Sequence, residues 1–225
     1  MQDLSLHLLD MIENSVSAKA SLIDIFICFD EGKNLLSFDI IDDGFGMDKE
    51  TLEKAQLPFY STKKNKKTAT GNGLPFIKEY VEKYNGIFSL ASEKEKGTQV
   101  HVELYPAGCP VCNCSQRIHP FRNSRERIYP FRDSRERIHP FRSVHPFQIG
   151  KLDDVLGNCI LGHPDIDFDI KLCRKTFSGE KKEFQLNTKS LKDDLNVRSM
   201  SYPELIKFLY KNLNDGVKIT KLEEI

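Results

Sequence analysis

The sequence predicts an α/β protein: a layered domain of helices on a sheet over residues 1–105, followed by a small α+β unit over residues 148–225. Two observations carry this. Helix-spaced and strand-spaced apolar residues alternate along the first part, and they resume in the last part after an interruption of different composition at residues 106–147. A length of 225 residues leaves room for one ordinary domain with a second small one or an insertion.

The opening segment, LSLHLLDMIENSVSA, sets Leu4, Leu8, Met11, Ile12 and Val16 on one helical face and Asp10, Glu13 and Asn14 on the other. SLIDIFICFDEGKNLLSFDIID then gives two strands around a turn at Asp30–Asn34, and KETLEKAQ a short helix after Gly44 and Gly46. Residues 58–73, rich in Lys, Thr and Asn, read as a loop. LPFIKEYVEKYNG is an amphipathic helix with Pro75 in its first turn and Gly86 as its stop, and GIFSLASEKEKGTQVHVELY closes the domain with two strands.

Residues 106–147 depart from this pattern. RIHPFRNSRE, RIYPFRDSRE and RIHPFRSV repeat with a period of ten, and eight of the chain's ten Arg lie between Arg117 and Arg142. Repeats this short do not form stacking solenoid units, and Pro at every tenth position prevents a long helix. The segment reads as a flexible or extended basic insert. From Gln148 onward, KLDDVLGNCILGH is helical, DIDFDIKLCR and KEFQLNT form a hairpin across SGEKK, and SYPELIKFLYKNLNDG is a helix capped by Ser201. That last helix is expected to bury Leu205, Phe208, Leu209 and Leu213.

Lys+Arg and Asp+Glu balance at 33 each, so the whole chain has no electrostatic bias towards nucleic acid or an acidic membrane. The N-terminus lacks a basic n-region and no apolar run approaches a membrane span, which points to a soluble, cytoplasmic protein. Six Cys without an export signal suit free thiols or metal ligands better than disulfides.

Three clusters carry chemistry. On the opening helix, Asp10 and Asn14 are four apart and share a face. An Asn oxygen can complete the shell of Mg²⁺, and a carboxylate one turn away can orient or deprotonate a water. At a strand end, IIDDGFGMD sets Asp42, an acceptor suited to an exocyclic amine such as adenine's, before Gly44 and Gly46, where backbone turns or approaches a ligand. In TATGNGLPFIKEY, Gly71 and Gly73 lead into a helix whose N–H groups suit phosphate, with Lys63, Lys64, Lys66 and Lys67 just before it. Singly, these are better read as a solvated helix face, a β-turn and a charged loop.

In this order and spacing, the residues resemble the GHKL superfamily of ATP-binding domains, which includes gyrase, the heat-shock chaperone, histidine kinases and mismatch-repair ATPases. Asp10, Glu13, Asn14, Ser15 and Ala18 match the N box, and Asp42, Gly44 and Gly46 match the first glycine box. Pro58–Lys63 resembles the lid motif of bacterial histidine kinases, Gly71–Leu74 their second glycine box, and Gly97 with Thr98 the closing strand near adenine. The resemblance implies a mixed sheet with helices on one face, adenine on Asp42, magnesium on Asn14, and a lid at residues 57–73. Gly71, Gly73, Leu74, Lys63 and Thr98 are expected around the nucleotide. It also implies an ATPase or a protein kinase acting on an unidentified protein partner. Stand-alone GHKL proteins, such as anti-sigma-factor kinases and small ATP-binding proteins of anaerobic bacteria, are the nearest in arrangement.

Two departures from the family pattern bear on activity. Gyrase-type ATPases carry Glu as general base where this chain has Asp10, one methylene shorter, and Pro75 replaces a usual Gly. His7 is the sole His ahead of the N box; LSLHLLD does not resemble a phosphoacceptor motif, and His7 is expected to pack.

CPVCNC places Cys109, Cys112 and Cys114 in a CxxCxC run compatible with zinc or an iron–sulfur cluster, with Cys159, Cys173 or His101 as a fourth ligand. The alternative is a chance run at the border of the insert. Arg interleaved with Phe and Tyr can grip single-stranded nucleic acid, but a solvated linker is the preferred reading of the repeat.

Overall fold

The computed structural model describes residues 4–57, 73–84, 86–105, 149–197 and 203–222. The lid motif, Lys63, Gly71, Ser201, Cys109, Cys112, Cys114 and the ten-residue repeat lie outside the described residues.

The chain begins with helix α1 (Leu4–Ser17), which buries Leu4, Leu8, Met11 and Ile12 as the periodicity requires. Strands β1 (Leu22–Asp30) and β2 (Leu35–Asp42) follow, joined by a tight turn in which the Asp30 carboxylate accepts from the Lys33 amide and Asn34 takes a left-handed conformation at φ 47°. Asx-type caps and left-handed Asn are the residues' own preferences at such turns. Helix α2 (Lys49–Ala55) is capped by Asp48, and helix α3 (Gly73–Lys83) leads to strands β3 (Ile87–Glu93) and β4 (Gly97–Leu104). Gly86 ends the α3 connection where a side chain would collide with the Glu103 carbonyl at 2.0 Å. Helix α4 (Leu152–Gly162), strands β5 (Asp167–Lys175) and β6 (Lys181–Asn187), and helices α5 (Thr188–Asp194) and α6 (Pro203–Thr220) complete the described chain.

All six strands form one mixed sheet in the order β3-β4-β2-β1-β5-β6. Neighbours are antiparallel except β1 and β5, which run parallel in register from Leu22↔Asp167 to Asp30↔Lys175. The separate small unit expected over residues 148–225 is therefore corrected: β5 and β6 extend the sheet of the N-terminal part. The physical reason lies in β1, whose Ile23, Ile25 and Ile27 are buried on one face while Cys28 is buried on the other. β2 pairs one edge of this strand, and β5 takes up the backbone N–H and C=O groups of the other.

Helices α3, α1, α4 and α6 pack side by side. Their apolar faces meet Ile25, Ile27, Phe38, Ile40, Val102, Phe168, Ile170 and Leu172 in one core that includes residues from both ends of the chain. The alternate strand residues Asp24, Phe26, Asp39, His101, Lys171 and Gln185 form the opposite, polar face, and none of them is fully buried. Two sequence expectations for the last helix change. It continues through Gly216 to Thr220, because a hydrogen side chain lets the helix lie against the Phe184 ring; a methyl there would stand 2.4 Å from it. Phe208 is 46% exposed, while Leu205, Leu209, Leu213 and Val217 fill the buried stripe. Helix α5 is an addition to the sequence reading; the Asn187 side chain caps it by accepting from the Ser190 amide.

A half-buried clamp reinforces the join. The Arg174 guanidinium donates to Glu31 Oε1 and to the Lys221 carbonyl, both at 2.6 Å, and the Phe177 amide donates to Glu31 Oε2 at 3.1 Å. The Arg174 hydrogen bond holds the Glu31 carboxyl below the usual carboxylate range. No described helix is long and apolar enough to cross a membrane.

Truncation after residue 147 should therefore not yield a folded N-terminal domain. It strips β1 of its parallel neighbour and leaves an exposed strand edge, a template for aggregation. Soluble yield and the circular dichroism of residues 1–147, set beside those of the whole chain, check this; a cooperative thermal transition in the fragment counts against it.

Candidate functional site

The site is built on α1 and the loop after β2. Ser15 is buried on α1, and its hydroxyl donates to Asp42 Oδ2 at 2.6 Å. Asp42 is 7% exposed at the end of β2; its Oδ1 accepts from the Gly44 amide at 3.0 Å and the Thr98 amide at 3.2 Å. A buried carboxylate persists only with such donors. An ionised carboxylate offers about four lone-pair sites. Three are met from within the protein, which leaves capacity for one further donor.

The glycines are there for close approach. A methyl on Gly44 would meet the Ala18 carbonyl at 2.8 Å, and one on Gly46, at φ +60°, would meet the Glu93 carbonyl at 2.0 Å. Gly97, at φ +90°, presses on the Asp42 carbonyl, where a methyl would stand at 1.8 Å. The loop is then sewn to its surroundings: the Phe45 amide donates to the Ala18 carbonyl at 3.0 Å, and the Glu95 amide to the Phe45 carbonyl at 2.7 Å. Ser92 accepts from the Met47 amide at 2.8 Å and shares a hydrogen bond of 3.0 Å with Thr98. Asp43 points the other way and accepts from the Ser21 hydroxyl and the amides of Ser21 and Leu22. Partial burial pushes its carboxyl up, but those donors together hold it below the usual range.

Asp10, Asn14 and Gly73 gather on the neighbouring face of α1. Gly73 opens α3 so close to that face that a methyl on it would stand 3.6 Å from both Asn14 Nδ2 and the Asp10 Cβ, and 3.9 Å from Asp10 Oδ2. The first residue of an eleven-residue helix therefore abuts the Asp10–Asn14 pair. Both side chains are exposed, whereas Leu74 packs against the core. Glu13, one residue from Asn14, turns to the other side of α1 and meets His163 Nε2 at 2.9 Å. His7 packs as expected, buried against the Tyr80 ring at 4.8 Å.

Asp42, Gly44, Gly46 and Thr98 are thus brought together at one end of α1, and Asp10, Asn14 and Gly73 at its side. Ser15, Asp43, Ser92 and His163 were not among the expected site residues. Ser15 had a signal in its place within the N box; Ser92 and His163 reach the site only through strand register and helix packing.

The alternative metal ligands are otherwise engaged. His101 Nδ1 bonds Asp39 at 2.8 Å. Cys159 and Cys173 are buried, and burial pushes the Cys159 thiol up to about 12. Cys28, opposite Cys173 in the β1–β5 register, is also raised to about 12, by burial first and then by its bond to the Cys173 thiol. Among the described residues no three His, Cys, Asp or Glu side chains are gathered as a metal ion requires.

Residues 2–107 match the family of histidine kinase-, DNA gyrase B- and HSP90-like ATPases. Curated relatives include the sensor histidine kinase YvrG of Bacillus subtilis, 29% identical over 95 residues, which are 41% of this chain and 16% of that protein. Sporulation kinase B of the same organism is 36% identical over 75 residues, 33% of this chain and 17% of that one. Among solved structures, full-length ShkA in complex with AMPPNP matches over 44% of this chain and 20% of its own, at 19% identity and a TM-score of 0.37. The chain thus spans about one sixth of the length of these curated relatives. Its N-terminal part, residues 2–107, is a GHKL ATP-binding domain of the histidine-kinase type.

The Ser15–Asp42 bond predicts a measurable stability effect. Ser15→Ala leaves a buried carboxylate oxygen short of a donor, at a cost of about 1–3 kcal/mol. In a chain of this size each kcal/mol lowers the melting temperature by roughly 2–4 °C. Scanning calorimetry of the variant checks it, and an unchanged transition contradicts the assigned bond.

Proposed function

We propose that this chain binds ATP with magnesium and passes phosphate to a protein partner in trans. The observation that supports this best is that one helix joins both clusters of candidate residues. From α1, Ser15 fixes the buried Asp42, and on the neighbouring face of the same helix Asp10 and Asn14 lie against the start of α3. Asp42 would accept the adenine amine at its remaining lone-pair site, beside the Thr98 backbone. The α3 N-terminus would face the phosphates with its free amides and positive dipole end. Asn14, with an amide oxygen suited to a hard cation, would hold magnesium, which supplies neutralisation of phosphate charge. Lys63 and Gly71, with the lid motif, belong to this reading as further phosphate contacts.

The second reading is a slow ATPase or nucleotide sensor. It is favoured by one detail: the Asp10 carboxylate lies beside Gly73, where a water-activating base is needed. The site gives both readings the same binding step.

Binding is tested first. Asp42→Asn removes a charged acceptor worth about 1.5–3 kcal/mol, so calorimetric titration should show weaker ATP binding with or without magnesium. Asn14→Ala should weaken chiefly the magnesium-bound form. Unchanged affinity in both variants removes the site.

Asp10 decides between the two readings. Asp reaches one carbon–carbon bond less far than Glu, and proton transfer needs heavy atoms about 2.6–3.2 Å apart or one water between. Hydrolysis by the wild type should be slow, unchanged or faster in Asp10→Glu, and abolished in Asp10→Asn with binding spared. Phosphate release undiminished in Asp10→Asn would take that residue out of the mechanism. Labelled phosphate appearing on a co-purified protein, with negligible release to solvent, marks transfer in trans.

A further inference from the structure

We propose that His163 is a positioning residue for the nucleotide site: from the end of α4 it holds the Glu13 carboxylate turned away from the Asp10–Asn14 face. This rests on the nucleotide reading above and adds a control of that site by the C-terminal part of the chain.

The geometry is specific on both sides of the contact. His163 Nε2 lies 2.9 Å from Glu13 Oε1, across 150 residues of sequence. The backbone that carries the imidazole is itself fixed, because the His163 amide donates to the Cys159 carbonyl at 3.1 Å and its carbonyl accepts from the Ile166 amide at 3.0 Å. The ring therefore sits at the C-terminal end of α4, beside α1. Glu13 has no comparable restraint of its own; its side chain is 46% exposed, against 25% for His163.

The consequence follows from helix spacing. Asp10 and Glu13 are three apart, so their side chains are neighbours on α1. A released Glu13 has the length to swing towards Asp10, adding a second carboxylate beside the start of α3. Two carboxylates there repel a polyphosphate. With Glu13 held by His163, Asp10 is the carboxylate that faces Gly73. The α1–α4 seam is otherwise closed by apolar packing and by the Ser5 amide, which donates to the Ile149 carbonyl at 2.8 Å. The polar contact at the far end of the seam is thus available to set side-chain direction without being needed for the core.

The test uses the full chain and calorimetric titration with ATP and magnesium, with thermal melting measured in parallel. His163→Ala should weaken ATP binding by roughly three- to fivefold, the scale of one partly exposed polar pair. Adding Glu13→Gln to His163→Ala should restore affinity, because the stray charge is gone, and His163→Gln, which can still donate, should restore most of it. A merely structural role predicts a lowered melting temperature and an affinity loss that Glu13→Gln cannot repair. Equal affinity of wild type and His163→Ala, or a loss not repaired by Glu13→Gln, overturns the proposal. A wild type that fails to bind ATP overturns the nucleotide reading itself, and this inference with it.

Discussion

Parallel pairing of β1 with β5 decides how the rest of the protein is arranged. Once β5 lies beside β1, β6 is the far edge of the sheet, and α4 and α6 can cover the face that β5 and β6 present. That in turn sets α4 against the flank of α1 opposite α3. The helix that carries the N box is thereby gripped from two sides. The arrangement is consistent with the strong preference for burying a parallel pair, since β1 and β5 sit in the middle of the sheet with Ile25, Ile27, Ile170 and Leu172 beneath the helices.

At the site the same economy appears in the treatment of Asp42. A carboxylate at 7% exposure would be expensive without donors, and the protein provides them from three separate places: α1 through Ser15, the following loop through Gly44, and β4 through Thr98. The acid therefore does two things at once. It leaves one acceptor site unfilled, and it fastens three elements to one another. Substituting it would disturb both, which is why affinity and stability have to be read separately.

Much of this was legible in the residues. The period of α1 gave its buried face, and alternation gave β2, β4 and the β5–β6 hairpin. The glycines at 44, 46 and 97 marked real close approaches, because a side chain at any of them meets backbone or a neighbouring methyl under 3 Å. What stayed dark was set by contacts with no local signature. Gly216 reads as a stop signal, yet its lack of a side chain serves the Phe184 ring rather than a turn. Asn187 ends the strand segment KEFQLNT, and nothing in that segment marks its capping of α5. The joining of the two halves left no such mark in LIDIFICF, whose alternation shows one buried face and not what lies along its edges. The partner of that strand could not be named from sequence, since alternation fixes which way residues face and not which strand lies alongside.

The long reach of the β1–β5 pairing has a temporal side. Leu22 meets Asp167, a separation of 145 residues (167 less 22). Contacts so distant along the chain form late, because a large loop must close before they return any stabilisation. On a ribosome adding about 5–20 residues per second, β1 waits roughly 7–30 seconds between its own emergence and that of its partner. Through that interval the nucleotide helix has one of its two flanking supports and the central strand one of its two neighbours. The nascent chain thus passes through a stage in which the ATP-binding motifs have all been made but the body that steadies them has not.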